Sequence, residues 1–219
     1  MSAPTAASEQ PKRRNPLAGL ASATGPLIGL VLLCVFLSLT TNTFLSFRNA
    51  LNILDQITVL GIMAVGMSYV ILIGGIDLSV GSVLALGMMV MGWMANVMGM
   101  PLPFAILLAL LASGLCGLVS GVLITAFRVP PFIATLAMMS VARGLANMIT
   151  DGQQIVGFPE WFVSLAIIRN FGVLTATVAL MLVVVAAAWI FLRYRAGGRM
   201  LYAVGGNPEV ARLAGIDVK

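Results

Sequence analysis

The 219-residue sequence has no histidine, two cysteines and few charges, with only 9% of its residues Asp, Glu, Lys or Arg. Without imidazole, every catalytic triad or metal cluster that needs one is excluded, and most hydrolase chemistry goes with it. No catalytic residue and no metal site is expected. Cys34 and Cys116 both lie inside apolar blocks, where a thiol behaves as a small hydrophobe, so no disulfide framework can be read. The only lysines are Lys12 and Lys219. Neither follows a glycine loop of the form G-x-x-x-x-G-K-[ST], so any ATP must be hydrolysed on another chain and no cofactor is expected on this one. A soluble domain carries about a quarter charged residues, and the deficit points to lipid. The formal charge of +5 is scattered between apolar blocks with no stripe of interleaved aromatics, so no nucleic-acid partner is expected.

What the chain has is apolar length. Hydrophobic residues make up 60% of it, gathered into blocks that suit the roughly 20 helical residues needed to cross a bilayer core of about 30 Å. They run at about Leu17 to Leu39, Leu51 to Ile73, Leu78 to Met98, Leu102 to Phe127, Pro131 to Ile149 and Val173 to Leu192. The expected fold is therefore an all-α integral membrane protein of about six transmembrane helices. A polar tail would occupy residues 1–16, the bundle 17–192 and a cytoplasmic segment 193–219. No small-residue cleavage pattern follows Leu39, so the first block reads as an uncleaved helix and not a signal peptide.

Cytoplasmic loops retain Lys and Arg, and an even number of spans places both termini inside. Lys12, Arg13, Arg14, Arg128, Arg193, Arg195, Arg199, Arg212 and Lys219 then fall inside, and only Arg48 and Arg169 outside. The longest outer segment, Thr150 to Gly172, holds Asp151, Glu160, Trp161 and Phe162; it suits an interfacial stretch with an aromatic anchor, or a meeting place for an external partner. Small residues at Gly61 and Gly66, Gly81 and Ala85, and Gly114, Gly117 and Gly121 allow helices to approach closely. The methionines at 88, 89, 91, 94 and 98 read as gap-filling.

Four places carry polar chemistry. Between the second and third blocks, Gly74, Gly75, Asp77, Ser79 and Gly81 lie in a segment that reads two ways. It is a tight hairpin in which the glycines end one helix and Asp77 or Ser79 caps the next, or a break at membrane depth that lines a polar cavity. Arg143, about 18 Å along its span, and Asn147 one turn on form an intramembrane polar face; Arg143 either snorkels outward or pairs inside the bundle. Asp55 and Gln56 read as an ordinary helix start, where acidic groups suit the dipole. Gly205, Gly206, Asn207, Pro208, Glu209, Arg212 and Gly215 specify a short helix over 207–214: Asn207 caps it, Pro208 takes the first position and Gly215 ends it. Val210, Leu213 and Ala214 share one face, which rests on the membrane or docks into a partner.

Three of the segments, GGIDLSVGS from Gly74 to Ser82, VPPFIATLAMM from Val129 to Met139 and GRMLYAVGGNPEVARLAGI from Gly198 to Ile216, occur in this order. Together they resemble the permease subunits of bacterial ABC importers for ribose, xylose, arabinose and galactosides, over about Phe44 to Lys219. The resemblance implies an ATP-driven monosaccharide importer of the bacterial inner membrane. Its implied partners are cytoplasmic ATP-binding subunits, a periplasmic sugar-binding protein, a second permease copy and membrane lipid. It implies that the helix at 207–214 couples to the ATPase and that the Asp77 segment lies near the translocation path. Permeases of this kind have roughly ten helices, each about as long as a bilayer core requires. The present sequence therefore resembles the first part of one, expected to be a fragment, a split-gene product or a degraded permease. Two alternatives stand beside the importer reading: an ion-coupled secondary carrier using Asp77 and Arg143, and a nonfunctional truncated fragment.

Overall fold

The computed structural model describes residues 16–170 and 172–218. The charged tail with Lys12, Arg13 and Arg14 lies outside the described residues, as does Lys219. The chain divides into two compact units, Met1–Asn52 and Ile53–Lys219.

The first unit holds helix α1 (Pro16–Thr40), 25 residues and so about 37 Å long. Its apolar stretch Gly25–Thr40 exposes Leu32 and Phe36 over about three-fifths of their surface, as a lipid-facing span would. The hydroxyls of Ser38 and Thr40 donate back to the carbonyls of Cys34 (2.6 Å) and Phe36 (2.8 Å), which satisfies them without water. Helix α2 (Phe47–Leu72) begins in the same unit. Ser46 Oγ accepts the Asn49 N–H at 3.2 Å and Asn49 Nδ2 donates to the Phe44 carbonyl at 2.9 Å, closing the first turn. These polar contacts start α2 four residues before the expected Leu51.

The second unit continues α2 and adds α3 (Val80–Gly92), α4 (Leu102–Thr125), α5 (Pro131–Thr150), α6 (Glu160–Ile167), the antiparallel strands β1 (Arg169–Asn170) and β2 (Leu174–Thr175), α7 (Ala176–Tyr194), α8 (Ala196–Gly206) and α9 (Pro208–Leu213). Among the described residues five segments are long and apolar enough to cross a membrane: Phe47–Leu72, Val80–Val97, Leu102–Thr125, Pro131–Thr150 and Ala176–Tyr194. The second of these is α3 extended by a π-helical turn, Trp93–Val97.

Helices α3, α4 and α5 form the core. Leu86, Ala142 and Ala146 are buried at its centre, with Val83, Met89, Val90, Cys116 and Ile149 packed around them. Small residues make this possible: a Cβ on Gly87 would lie 2.7 Å from Ser113 Oγ, and Ala105 and Ala142 have no exposed surface at all. Between helices already in lipid, such packing and not the hydrophobic effect supplies the association energy. On the other side, Gly61 of α2 lies against the Met181 sulfur of α7, and the Tyr69 hydroxyl donates to the Ala188 carbonyl at 3.4 Å.

Several expectations are corrected. Gly114, Gly117 and Gly121 face open space, so the close α3–α4 approach runs through Gly87 instead. The methionine run divides, with Met89 in the core and Met88 and Met98 more than half exposed. The outer stretch from Thr150 folds into α6 and β1. Helix α7 starts at Ala176 and not Val173, because Thr175 pairs in the hairpin and its hydroxyl accepts the Val178 N–H to cap the helix. Helix α8 was not anticipated.

Candidate functional site

Helix α2 ends where Gly74 takes φ +77°. There the N–H groups of Gly74 and Gly75 donate to the carbonyls of Ile71 and Val70, both at 2.9 Å. Glycine permits the left-handed turn that satisfies these last carbonyls. Ser79 occupies the N-cap position of α3 but gives no side-chain cap, contrary to one expected role. Instead Asp77 Oδ1 accepts both the N–H and the hydroxyl of Ser79, at 2.8 and 2.7 Å. The carboxylate thus holds the turn together from within. Gly81 follows in the first turn of α3, with open space beside it.

The turn also lines a cavity of about 210 Å³ with Ser120 and Gly121 of α4 and Pro131 and Thr135 of α5. The Thr135 hydroxyl donates to the Pro131 carbonyl at 2.8 Å and lies 3.3 Å from the Ile76 carbonyl, so it bridges α5 to the turn. Ser120 Oγ is buried without a hydrogen-bond partner among the described residues. Thr135 belongs to the VPPFIATLAMM motif, which pointed to the region without singling it out. Nothing in the sequence marked Ser120.

The segment from 205 to 215 forms the predicted short helix, slightly shorter than 207–214. Asn207 Oδ1 accepts the N–H groups of Glu209 and Val210 at 3.0 and 3.1 Å, Pro208 opens the helix, and Gly215 ends it at φ +79°. Ala211, not one of the expected face residues, is the buried one at 3%. Glu209, Val210, Arg212 and Leu213 are exposed, Leu213 to 88%. Helix α8 carries α9 and meets the end of α2: a Cβ on Gly205 would overlap the Leu72 carbonyl, whereas Gly206 has open space beside it. Arg128 from the α4–α5 turn joins Arg212 and Asp217 around a neighbouring cavity. The α2–α3 turn, the α4–α5 turn and α8–α9 therefore gather at one end of this unit.

At the opposite end Asp55 is not at a helix start, since α2 begins at Phe47. Its carboxylate meets Arg169 Nη2 at 2.9 Å and accepts the Thr175 hydroxyl at 2.9 Å. Arg169 and Thr175 are paired across the β1–β2 hairpin, so one carboxylate ties α2 to both strands and to the cap of α7. The loop after α5 closes over the end of α3 in the same region, with Gly92 against Ile155 and Asn96 Nδ2 donating to the Val156 carbonyl at 2.7 Å.

Arg143 and Asn147 are both exposed on α5, and among the described residues neither side chain has a hydrogen bond or ion pair. Arg143 therefore pairs with no carboxylate among the described residues. An arginine facing hydrocarbon at mid-span costs about 3 kcal/mol or more.

Comparison with known proteins places these features in a family context. The family described as branched-chain amino acid transport system permease component matches residues 49–219. The ribose import permease protein RbsC of Bacillus subtilis is 38% identical over 202 residues, covering 91% of this chain and 62% of that protein. RbsC of Escherichia coli K12 is 42% identical, covering 88% and 60%. The fructose import permease protein FrcC of Rhizobium meliloti is 34% identical, covering 90% and 57%. The chain thus spans about three-fifths of the length of the relatives it matches. No solved structure matches it.

Proposed function

The chain belongs to the family of branched-chain amino acid transport system permease components, and from that premise we propose that it serves as the membrane-spanning subunit of an ATP-driven monosaccharide importer. It is a multi-pass protein of the bacterial inner membrane. The sugar class rests on relatives whose names specify ribose and fructose import. In this reading both termini are cytoplasmic, and the end bearing Arg128, Arg193, Arg195, Arg199 and Arg212 faces the cytoplasm, as retention of basic residues predicts.

The observation that carries the mechanism is the Asn207-capped helix α9, held on α8 with Glu209, Val210, Arg212 and Leu213 exposed. Cytoplasmic ATP-binding subunits grip this knob and supply the nucleotide chemistry. A periplasmic sugar-binding protein delivers the solute to the opposite end, where α6 and the Asp55-anchored hairpin lie, and a second permease copy completes the path. No covalent bond to the sugar forms or breaks on this chain. Because Gly205 seats α8 directly on the end of α2, movement of the knob reaches the Asp77 turn. Alternating access then follows from rigid-body displacement of helices and needs no chemistry here.

Reconstitution of the full chain with a cognate ATPase and binding protein tests this. Ribose uptake should require ATP and stop when the ATPase is inactivated. Uptake that follows an ion gradient and ignores ATP would establish a secondary carrier and reject the importer.

A further inference from the structure

Helix α5 has two opposed faces. Ala134, Met138, Ala142 and Ala146, spaced every four residues, are all buried against the core. Ser140, Arg143, Gly144 and Asn147, at i, i+3, i+4 and i+7, are exposed; Ser140, Gly144 and Asn147 lie roughly opposite the core and Arg143 at the edge of the same face. Their stripe starts near mid-helix and runs to Asp151, the exposed residue that caps the helix at φ +50°. Residues along one edge of the stripe, Val141, Leu145 and Met148, are apolar and exposed, as is Leu136 below Arg143 on the other. The polar groups thus form a narrow line within an otherwise lipid-compatible surface, reaching from the middle of the span to the end where the loop after α5 begins.

Snorkelling accounts for one long cation near a helix end. It does not account for a short amide in line with that cation, since Asn147 cannot extend as an arginine does; the Ser140 hydroxyl is itself satisfied, donating to the Leu136 carbonyl at 3.2 Å. Polar residues within membrane spans face a bundle interior or a water-filled cavity. We propose that this stripe of α5 lines the aqueous path of a polyhydroxylated solute, with Arg143 and Asn147 as its hydrogen-bonding contacts. A guanidinium offers five donors, and an amide offers both donors and acceptors, which suits a sugar's adjacent hydroxyls. The solute class rests on the importer reading; the wetness of the stripe does not.

The test uses the full chain in sealed membrane vesicles, with Cys34 and Cys116 replaced by serine. Single Ser140→Cys, Gly144→Cys and Asn147→Cys variants are compared with the flanking Val141→Cys and Leu145→Cys. Gly144 has open space for the new side chain. Gln153→Cys, in the exposed loop beyond α5, identifies the side to which a membrane-impermeant thiol reagent is added. Stripe positions should react roughly tenfold or more faster than flanking ones, because a thiol in apolar surroundings has a raised pKa and little thiolate. Excess ribose or fructose should slow labelling of Asn147→Cys and leave Gln153→Cys unchanged. Equal reactivity on stripe and flanks, or a silent stripe beside a reactive Gln153→Cys, overturns the path. Labelling that neither sugar slows overturns the solute contact. Because labelling needs no nucleotide, these outcomes are separable from loss of ATP-dependent uptake, which bears on the importer reading alone.

Discussion

Replacing Gly205 by alanine should damage the protein, while the same change at its neighbour Gly206 should not. Both residues lie at the end of α8, and Gly→Ala in a helix ordinarily stabilises by about 1 kcal/mol because alanine loses less backbone entropy. At Gly206 nothing lies within 4 Å of the added methyl, so some of that gain should appear. At Gly205 the methyl meets the Leu72 carbonyl oxygen, with the Leu72 carbonyl carbon at 2.8 Å and Ile73 Cα at 3.5 Å. These are backbone atoms at the end of a long helix and cannot rotate aside. Relief requires α8 to move off α2, and overpacking of this kind costs about 1–3 kcal/mol. Subtracting the propensity gain leaves a net loss of about 0–2 kcal/mol at Gly205, and because that gain is common to both sites, Gly205→Ala should be less stable than Gly206→Ala by the overpacking cost, about 1–3 kcal/mol. Unfolding in mixed micelles measures the difference. In the assembled transporter, Gly205→Ala should also leave ATP hydrolysis running with reduced sugar uptake, as α8 loses its seat on α2. A Gly205→Ala chain as stable as Gly206→Ala would refute the close contact and the transmission argued from it.

Asn207→Ala removes the side chain that accepts two N–H groups at the start of α9. The loss of about 1 kcal/mol in helix stability should weaken ATPase binding about fivefold in a pull-down or surface-binding titration. Asp55→Ala and Arg169→Ala should each loosen the β1–β2 hairpin; the pair is partly exposed, at 27% and 22%, so their double-mutant coupling should be about 1 kcal/mol and fall with salt. Limited proteolysis of the outer segment reads the same loosening. Ser120→Ala deletes a buried hydroxyl that has no partner among the described residues, and should be neutral or stabilising by up to about 1 kcal/mol in the same unfolding assay.

The spans were legible because lipid imposes a length on every crossing helix, and the caps because they are made within a few residues. Gly74 and Asn207 act on carbonyls and N–H groups only two to four positions away, so composition and spacing suffice to place them. The Asp55–Arg169 pair joins residues 114 apart in sequence. An acidic residue near the start of an apolar block carries the same local pattern whether it greets the helix dipole or anchors a distant hairpin. Only tertiary placement decides, and it decided against the dipole reading. The glycine run in α4 failed for a related reason. Spacing states that a helix face is smooth; it does not state that another helix covers it, and among the described residues nothing lies within 4 Å of a Cβ added at Gly117 or Gly121, which line the cavity beside the Asp77 turn.

The two glycine pairs show why local pattern carries one function and not another. At 74–75 the pair ends a helix, and the requirement is conformational: Gly74 has a positive φ that few other residues tolerate. At 205–206 neither residue has a positive φ, and the requirement at Gly205 is steric, set by Leu72 more than a hundred positions earlier. The residue that cannot grow a side chain in α8 therefore sits on the helix that the other pair terminates. Thr135 then links the Ile76 carbonyl to the first turn of α5, whose far face bears Arg143 and Asn147. A continuous set of contacts thus runs from α8, which carries α9, through the Asp77 turn to the helix with the polar stripe. Continuity alone is not coupling, but it gives events at α9 one unbroken route to the stripe on α5.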